Sequence, residues 1–140
     1  MARGARIGSA VMFVQDLDRS VSFYQEVLGL AVTNRSPTAA LLTSSEGAQL
    51  ILRAMGGNAA HTLGGVGVQY VAWTAASDED LRRAEQALRE HSAHRETRGG
   101  EGEGVVAVEG RDPDDIVVII IYPGPDQVPL HELPVRIYGW

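Results

Sequence analysis

The chain has 140 residues, 44% of them hydrophobic and 21% charged, with a formal net charge of −6 and no cysteine. This composition fits one ordinary globular domain or two small fused modules and excludes a disordered chain. The acidic balance disfavours nucleic acid, since no basic patch is evident, and the lack of cysteine removes disulfides, thiolate catalysis and Cys-ligated zinc.

No apolar run approaches the ~20 residues of a membrane helix. Residues 1–7 lack the apolar core of a signal peptide. The expectation is a cytoplasmic protein with neither membrane nor nucleic acid as partner.

In chain order, Gly8 to Val14 reads as a strand, with Ala10, Met12 and Val14 on one face and Ser9, Val11 and Phe13 on the other. Asp16 or Asp18 then offers a carboxylate to the free N–H groups of a helix start. Val21, Tyr24 and Leu28, with Phe23 and Val27 beside them, form its apolar stripe, and Gly29 suits a left-handed stop. Ala31 to Arg35, Ala39 to Ser44 and Ala48 to Arg53 are three further strands. Met55 to Gly67, rich in glycine and alanine, reads as a connector.

The same order then recurs. Val68 to Ala75 is a strand, and Ser77 to Asp80 resembles a capping box for a helix running to about Glu90, with Leu81, Ala84 and Leu88 as its stripe. His94 to Thr97 and Gly104 to Glu109 are predicted strands flanking a glycine-rich turn. Arg111 to Asp115 is a turn, and Ile116 to Tyr122 a strongly β-branched strand. Two β-α-β-β-β modules, about 7–54 and 68–122, therefore make up an internal repeat, and a tail follows over 123–140.

Two motifs carry a resemblance. Asp16-Leu17-x-x-Ser20-x-x-Phe23-Tyr24-x-x-x-Leu28-Gly29-Leu30 resembles the first helix of the glyoxalase/bleomycin-resistance/extradiol-dioxygenase group, the vicinal oxygen chelate superfamily. Asp112-Pro113-Asp114 before the last strand is similar to that group's Asp-Pro-Asp-Gly turn, with Asp115 where glycine is usual. The resemblance implies an α+β fold in which the two modules form an open, cup-shaped mixed β-barrel with helices outside. It also implies a homodimer, in which the apolar tail around Leu130, Val135, Ile137 and Trp140 covers its own barrel or a neighbour's.

The resemblance implies four metal-ligand positions facing the cup, and here they fall on Ser9, Ile51, Tyr70 and Ile119. Hydroxyls and alkyl groups are poor ligands for a divalent ion that wants imidazole or carboxylate. No metal and no other cofactor is therefore expected. Strand alternation assigns Ser9, Val11, Phe13, Gln49, Ile51, Arg53, Tyr70, Ala72, Thr74, Val117, Ile119 and Ile121 to the cup lining. That lining is mostly apolar, with a few neutral polar groups and Arg53 as its one charge, which suits a small-molecule pocket. A packed barrel core is the competing reading of the same residues.

Other signals are weaker. His91 and His94 have a spacing that suits a metal on a helix, but a polar helix end explains them as well. His61, His131-Glu132 and the acids Glu101 and Glu103 have no supporting pattern, although either acid is a candidate base. The glycines at 56–57 and 64–65 lack the context of a phosphate loop, and no serine-turn signature is present.

Two function classes remain. One is metal-independent binding of a small, largely apolar or aromatic molecule, as in proteins that sequester an antibiotic. The other is a metal-free isomerase, cyclase or lyase acting on a natural-product intermediate, with Tyr70 as acid; its catalytic residues are otherwise not assigned. A glyoxalase- or dioxygenase-type metalloenzyme ranks third.

Overall fold

The computed structural model describes residues 4, 5, 7–56, 68, 70–99 and 104–124. All of the predicted connector except Met55 and Gly56, together with Glu101, Glu103, His61 and nearly all of the tail, lies outside these residues. The chain divides into two compact units, Met1–Ala60 and His61–Trp140.

The first unit contains β1 (Ser9–Val14), α1 (Leu17–Leu28), β2 (Ala31–Arg35), β3 (Ala39–Thr43) and β4 (Gln49–Ala54). The second contains β5 (Tyr70–Thr74), α2 (Asp78–Glu90), β6 (His94–Gly99), β7 (Val106–Arg111) and β8 (Val117–Tyr122). Each unit is a four-stranded sheet, β1-β4-β3-β2 in one and β5-β8-β7-β6 in the other. The first strand of each runs parallel to the last, and the other pairs are antiparallel. The fold is thus mixed α+β.

The caps explain where α1 begins and ends. Asp16 Oδ1 accepts from Arg19 N at 3.1 Å, so Asp16 is the N-cap. Asp18 lies in the first turn instead and pairs with Arg35 of β2. Gly29 takes φ 67° and its N–H donates to Gln25 O at 3.0 Å. A side chain in that left-handed conformation would crowd the backbone.

The buried face of α1 is Leu17, Ser20, Val21, Phe23, Tyr24 and Val27, and it packs on β2, β3 and β4. Leu28, expected in the stripe, is half-buried at the last residue of the helix. Phe23 and Tyr24 meet edge to face with ring centroids 5.1 Å apart. Burying each aromatic ring contributes roughly 1.5–3 kcal/mol. Beneath them lie Leu42, Leu50 and Leu52, all fully buried, and the Tyr24 hydroxyl points to Met12 Sδ at 3.9 Å.

The second unit repeats the arrangement with different chemistry. Ser77 Oγ accepts from Asp80 N at 3.0 Å and starts α2. Leu81, Ala84 and Leu88 are its buried residues. A Cβ on Gly110 of β7 would lie 2.7 Å from Leu88 Cδ2 and 2.8 Å from the Ala93 carbonyl oxygen, so glycine here lets helix and sheet approach.

Several strand boundaries differ from expectation by one or two residues. β7 starts two residues later than Gly104 and takes in Arg111, which pairs with Val117. β6 runs on to Gly99 through polar residues, because pairing with β7 outweighs their low strand preference. The turn between β7 and β8 is built by Asp112, whose Oδ1 accepts from Asp114 N at 2.8 Å and Ile116 N at 2.9 Å. Asp115 takes φ 65° in that turn.

Candidate functional site

In both units the helix covers one face of the sheet. The other, front face carries the residues assigned to the ligand. On the first sheet, strand register places Ser9 beside Gln49, Val11 beside Ile51, and Phe13 beside Arg53. β3 extends these rows with Thr43, Leu41 and Ala39. On the second sheet, Tyr70 stands beside Val117, Ala72 beside Ile119, and Thr74 beside Ile121. The register thus reproduces, strand for strand, the correspondence that the sequence repeat assigns to Ser9 with Tyr70 and Ile51 with Ile119.

Exposure separates the two front faces. Val11 and Phe13 are 58% and 59% exposed, Ser9, Gln49 and Arg53 are also exposed, and Ile51 is half-buried. On the second sheet Val117, Ile119 and Ile121 are buried and form an apolar cluster with Val105 and Ala107, against which half-buried Tyr70 packs. Ala72 and Thr74 are exposed. The accessible apolar surface among the predicted residues therefore lies mainly on β1 and β4. Arg53 makes no ion pair among the described residues, and its exposure removes the cost of an unpaired buried guanidinium.

Sequence reasoning missed the charged half of the second front face. It considered only the first and last strand of each module. The register puts Glu109 directly opposite Ile119 and Glu96 opposite Glu109, with Arg98 in the next row and Arg111 opposite Val117. Arg98 donates to Glu96 Oε2 at 2.9 Å. That hydrogen bond holds its guanidinium above the ordinary arginine range, against an opposing desolvation. The alternation along Val106 to Arg111 was the available signal for Glu109 and Arg111.

The four family metal positions carry two hydroxyl side chains and two isoleucines, one of them fully buried. They do not fit a divalent ion: an alkyl group supplies no lone pair, and burial beside the ion would strip its water. Among the described residues, no group of three or more histidines or carboxylates is placed to hold a metal. No helix among them is long and apolar enough to cross a membrane.

Residues 6–120 match the model of the Glyoxalase/Bleomycin resistance protein/Dioxygenase superfamily, and the chain belongs to that family. Its fold recurs in solved structures. A glyoxylase/bleomycin resistance protein/dioxygenase domain from Frankia sp. EAN1pec is 21% identical, with TM-score 0.70 over 85% of this chain and 98% of that one. Lactoylglutathione lyase from Agrobacterium tumefaciens is 16% identical, with TM-score 0.62 over 85% and 94%. The fosfomycin resistance protein FosX from Mesorhizobium loti is 14% identical, with TM-score 0.66 over 91% and 98%. At these identities the likeness is one of fold. No curated protein sequence matches the chain. The family includes resistance proteins, lyases and dioxygenases.

Proposed function

We propose that this protein binds a small, flat, largely apolar molecule without a metal ion, at a site that includes the front face of β1 and β4. The supporting observation is the exposed Phe13 and Val11 in register with Arg53 and Ile51. Aromatic and aliphatic surface supplies the apolar contact, and the guanidinium supplies a directional donor for a carboxylate, phenolate or carbonyl edge. In this reading exposed Ser9 and Gln49 extend that surface, Val117, Ile119 and Ile121 are packed in an apolar cluster instead of lining it, and the protein is a cytoplasmic homodimer. Antibiotic sequestration is the use that fits binding without chemistry.

The test uses two fluorescent probes in the presence of EDTA. Anilinonaphthalene sulfonate is a flat apolar anion, and phenylnaphthylamine is its neutral counterpart. The reading expects saturable binding of both, with the anion tighter. Failure of both to bind the folded protein would contradict it. A host strain expressing the chain, challenged with bleomycin or fosfomycin, then tests the sequestration reading by survival.

One observation favours a second reading, the metal-free isomerase, cyclase or lyase. Glu109 is half-buried on the same face as the dry cluster around Ile119. A carboxylate beside apolar surface is a suitable base, and Tyr70 on that face is the candidate acid. Product formation lost in both Tyr70→Phe and Glu109→Gln, with the fold intact, would favour this reading over simple binding.

A further inference from the structure

The edge strand β2 carries a front-face residue that simple alternation hides. Ala31 pairs with Thr43 of β3, and Val32 with Leu42. The register then shifts, so that Asn34 stands opposite Leu41 and Arg35 opposite Ala40. Thr33 is the extra residue of a bulge. In a regular ladder Asn34 would fall opposite Ala40 on the helix side, and Arg35 would come to the front. The bulge exchanges the two.

Two contacts hold this exchange. Thr33 Oγ1 donates to Leu41 O at 3.3 Å. Arg35, now on the helix side, pairs with Asp18 in the first turn of α1. Asn34 is therefore fixed on the front face, at the end of a continuous row, Val11–Ile51–Leu41–Asn34, that crosses all four strands. It is exposed, and its side-chain amide makes no hydrogen bond among the described residues. The second unit has the same shift between His94 and Glu96, which makes Glu96 the counterpart of Asn34. Glu96 is bonded to Arg98 of its own strand. Asparagine is depleted in strands, so strand stability gives no reason for it at this position.

We propose that Asn34 is a specificity-determining residue that takes a hydroxyl or carbonyl group on the far edge of a flat aromatic acid, whose anionic edge lies against Arg53. This rests on the ligand-binding reading above and narrows it to one class of molecule. Asn34 and Arg53 lie two strands and one row apart, about 12 Å between Cα atoms from strand spacing and rise. The reach of the two side chains leaves a gap that two fused rings span. Leu41 and Ala39, both half-buried, lie between them and give that gap an apolar floor. The small side chain of Ala39 lets a ring plane lie close to the sheet. An amide both donates and accepts, so it serves a phenol, a ketone or a carboxamide alike. A ligand without such a group loses this contact at no further cost, since an exposed amide keeps its water. Asn34 sorts ligands, while Arg53 and the apolar row supply the affinity they share.

Fluorescence titration of the full chain, with EDTA present, tests this with naphthalene-2-sulfonate and 6-hydroxynaphthalene-2-sulfonate. The hydroxyl is expected to tighten binding about two- to tenfold, the range of one net hydrogen bond. Asn34→Leu should erase that gain and leave the unsubstituted probe unchanged, whereas Arg53→Ala should weaken both probes by the same factor. The side-chain amide resonances of Asn34 in the unaltered protein give a second measure that needs no variant, and they should shift with the hydroxylated probe alone. Equal affinity for the two probes, or a gain that survives Asn34→Leu, would overturn the role of Asn34, and the binding reading would stand as long as Arg53→Ala still weakens both. Failure of both probes to bind would overturn the binding reading and this assignment with it.

Discussion

Phe13 and Arg53 are register partners across the parallel β1–β4 pair, and both are exposed on the face that α1 leaves uncovered. An aromatic ring and a guanidinium held side by side on a rigid sheet can meet a flat molecule with one polar edge. Arg53→Ala is therefore expected to weaken anilinonaphthalene sulfonate by about 1–3 kcal/mol, the size of a lost charged hydrogen bond, and to leave phenylnaphthylamine unchanged. Fluorescence titration of both probes checks this. Equal loss for both would remove Arg53 from the site.

Ile119 makes the opposite case. It is 1% exposed within an apolar cluster, so Ile119→Glu places a carboxylate where no water reaches it. Expected destabilisation is about 3–5 kcal/mol, the scale of an uncompensated buried charge. Phe13→Ser on the open face should cost far less. Denaturant melts of the two variants decide the point, and a mild effect at Ile119 would mean that this face hydrates readily.

The turn at Asp115 holds an aspartate at φ 65°, a conformation that glycine adopts without steric cost. Asp115→Gly is expected to stabilise the protein by about 1 kcal/mol, since the strain removed slightly exceeds the added chain entropy. Gly110→Ala should act in the other direction. Its Cβ would press on the Ala93 carbonyl oxygen, and overpacking of this kind costs about 1–3 kcal/mol. Paired thermal melts test both signs.

The His94 pKa is lowered by burial and then by Arg89. The folded state binds that proton more weakly than the unfolded chain does. Stability is therefore complete above the unfolded value of about 6.5 and declines as the pH falls below it, levelling off below the folded-state pKa. The melting temperature of His94→Gln should fall less than that of the unaltered protein over this window. Parallel curves would remove His94 as a source of acid sensitivity.

Much of the fold could be read from the sequence because its signals are local. Asp16, Gly29 and Ser77 cap their helices through neighbours three or four residues away, and alternation on β1, β4, β5 and β8 assigned each residue to its face. Exposure was harder. Nothing near Ile51 or Ile119 in sequence says that one is half-buried and the other sealed, since that depends on packing from distant residues. The hydrogen-bonded chain His94–Thr97–Glu85, in which Thr97 Oγ1 meets both His94 Nε2 and Glu85 Oε2, was hidden for another reason. Its geometry needs a bulge at Arg95, and a bulge reverses the facing that simple alternation assigns.

The front face of β1 and β4 as a metal-independent binding surface is tested most directly by amide chemical-shift mapping. Anilinonaphthalene sulfonate is titrated into the isotope-labelled protein with EDTA present throughout. The account predicts saturable shifts centred on Val11, Phe13, Ile51 and Arg53, unchanged when EDTA is replaced by added divalent ion. Shifts confined to other elements, or binding that appears only with the added ion, would contradict it.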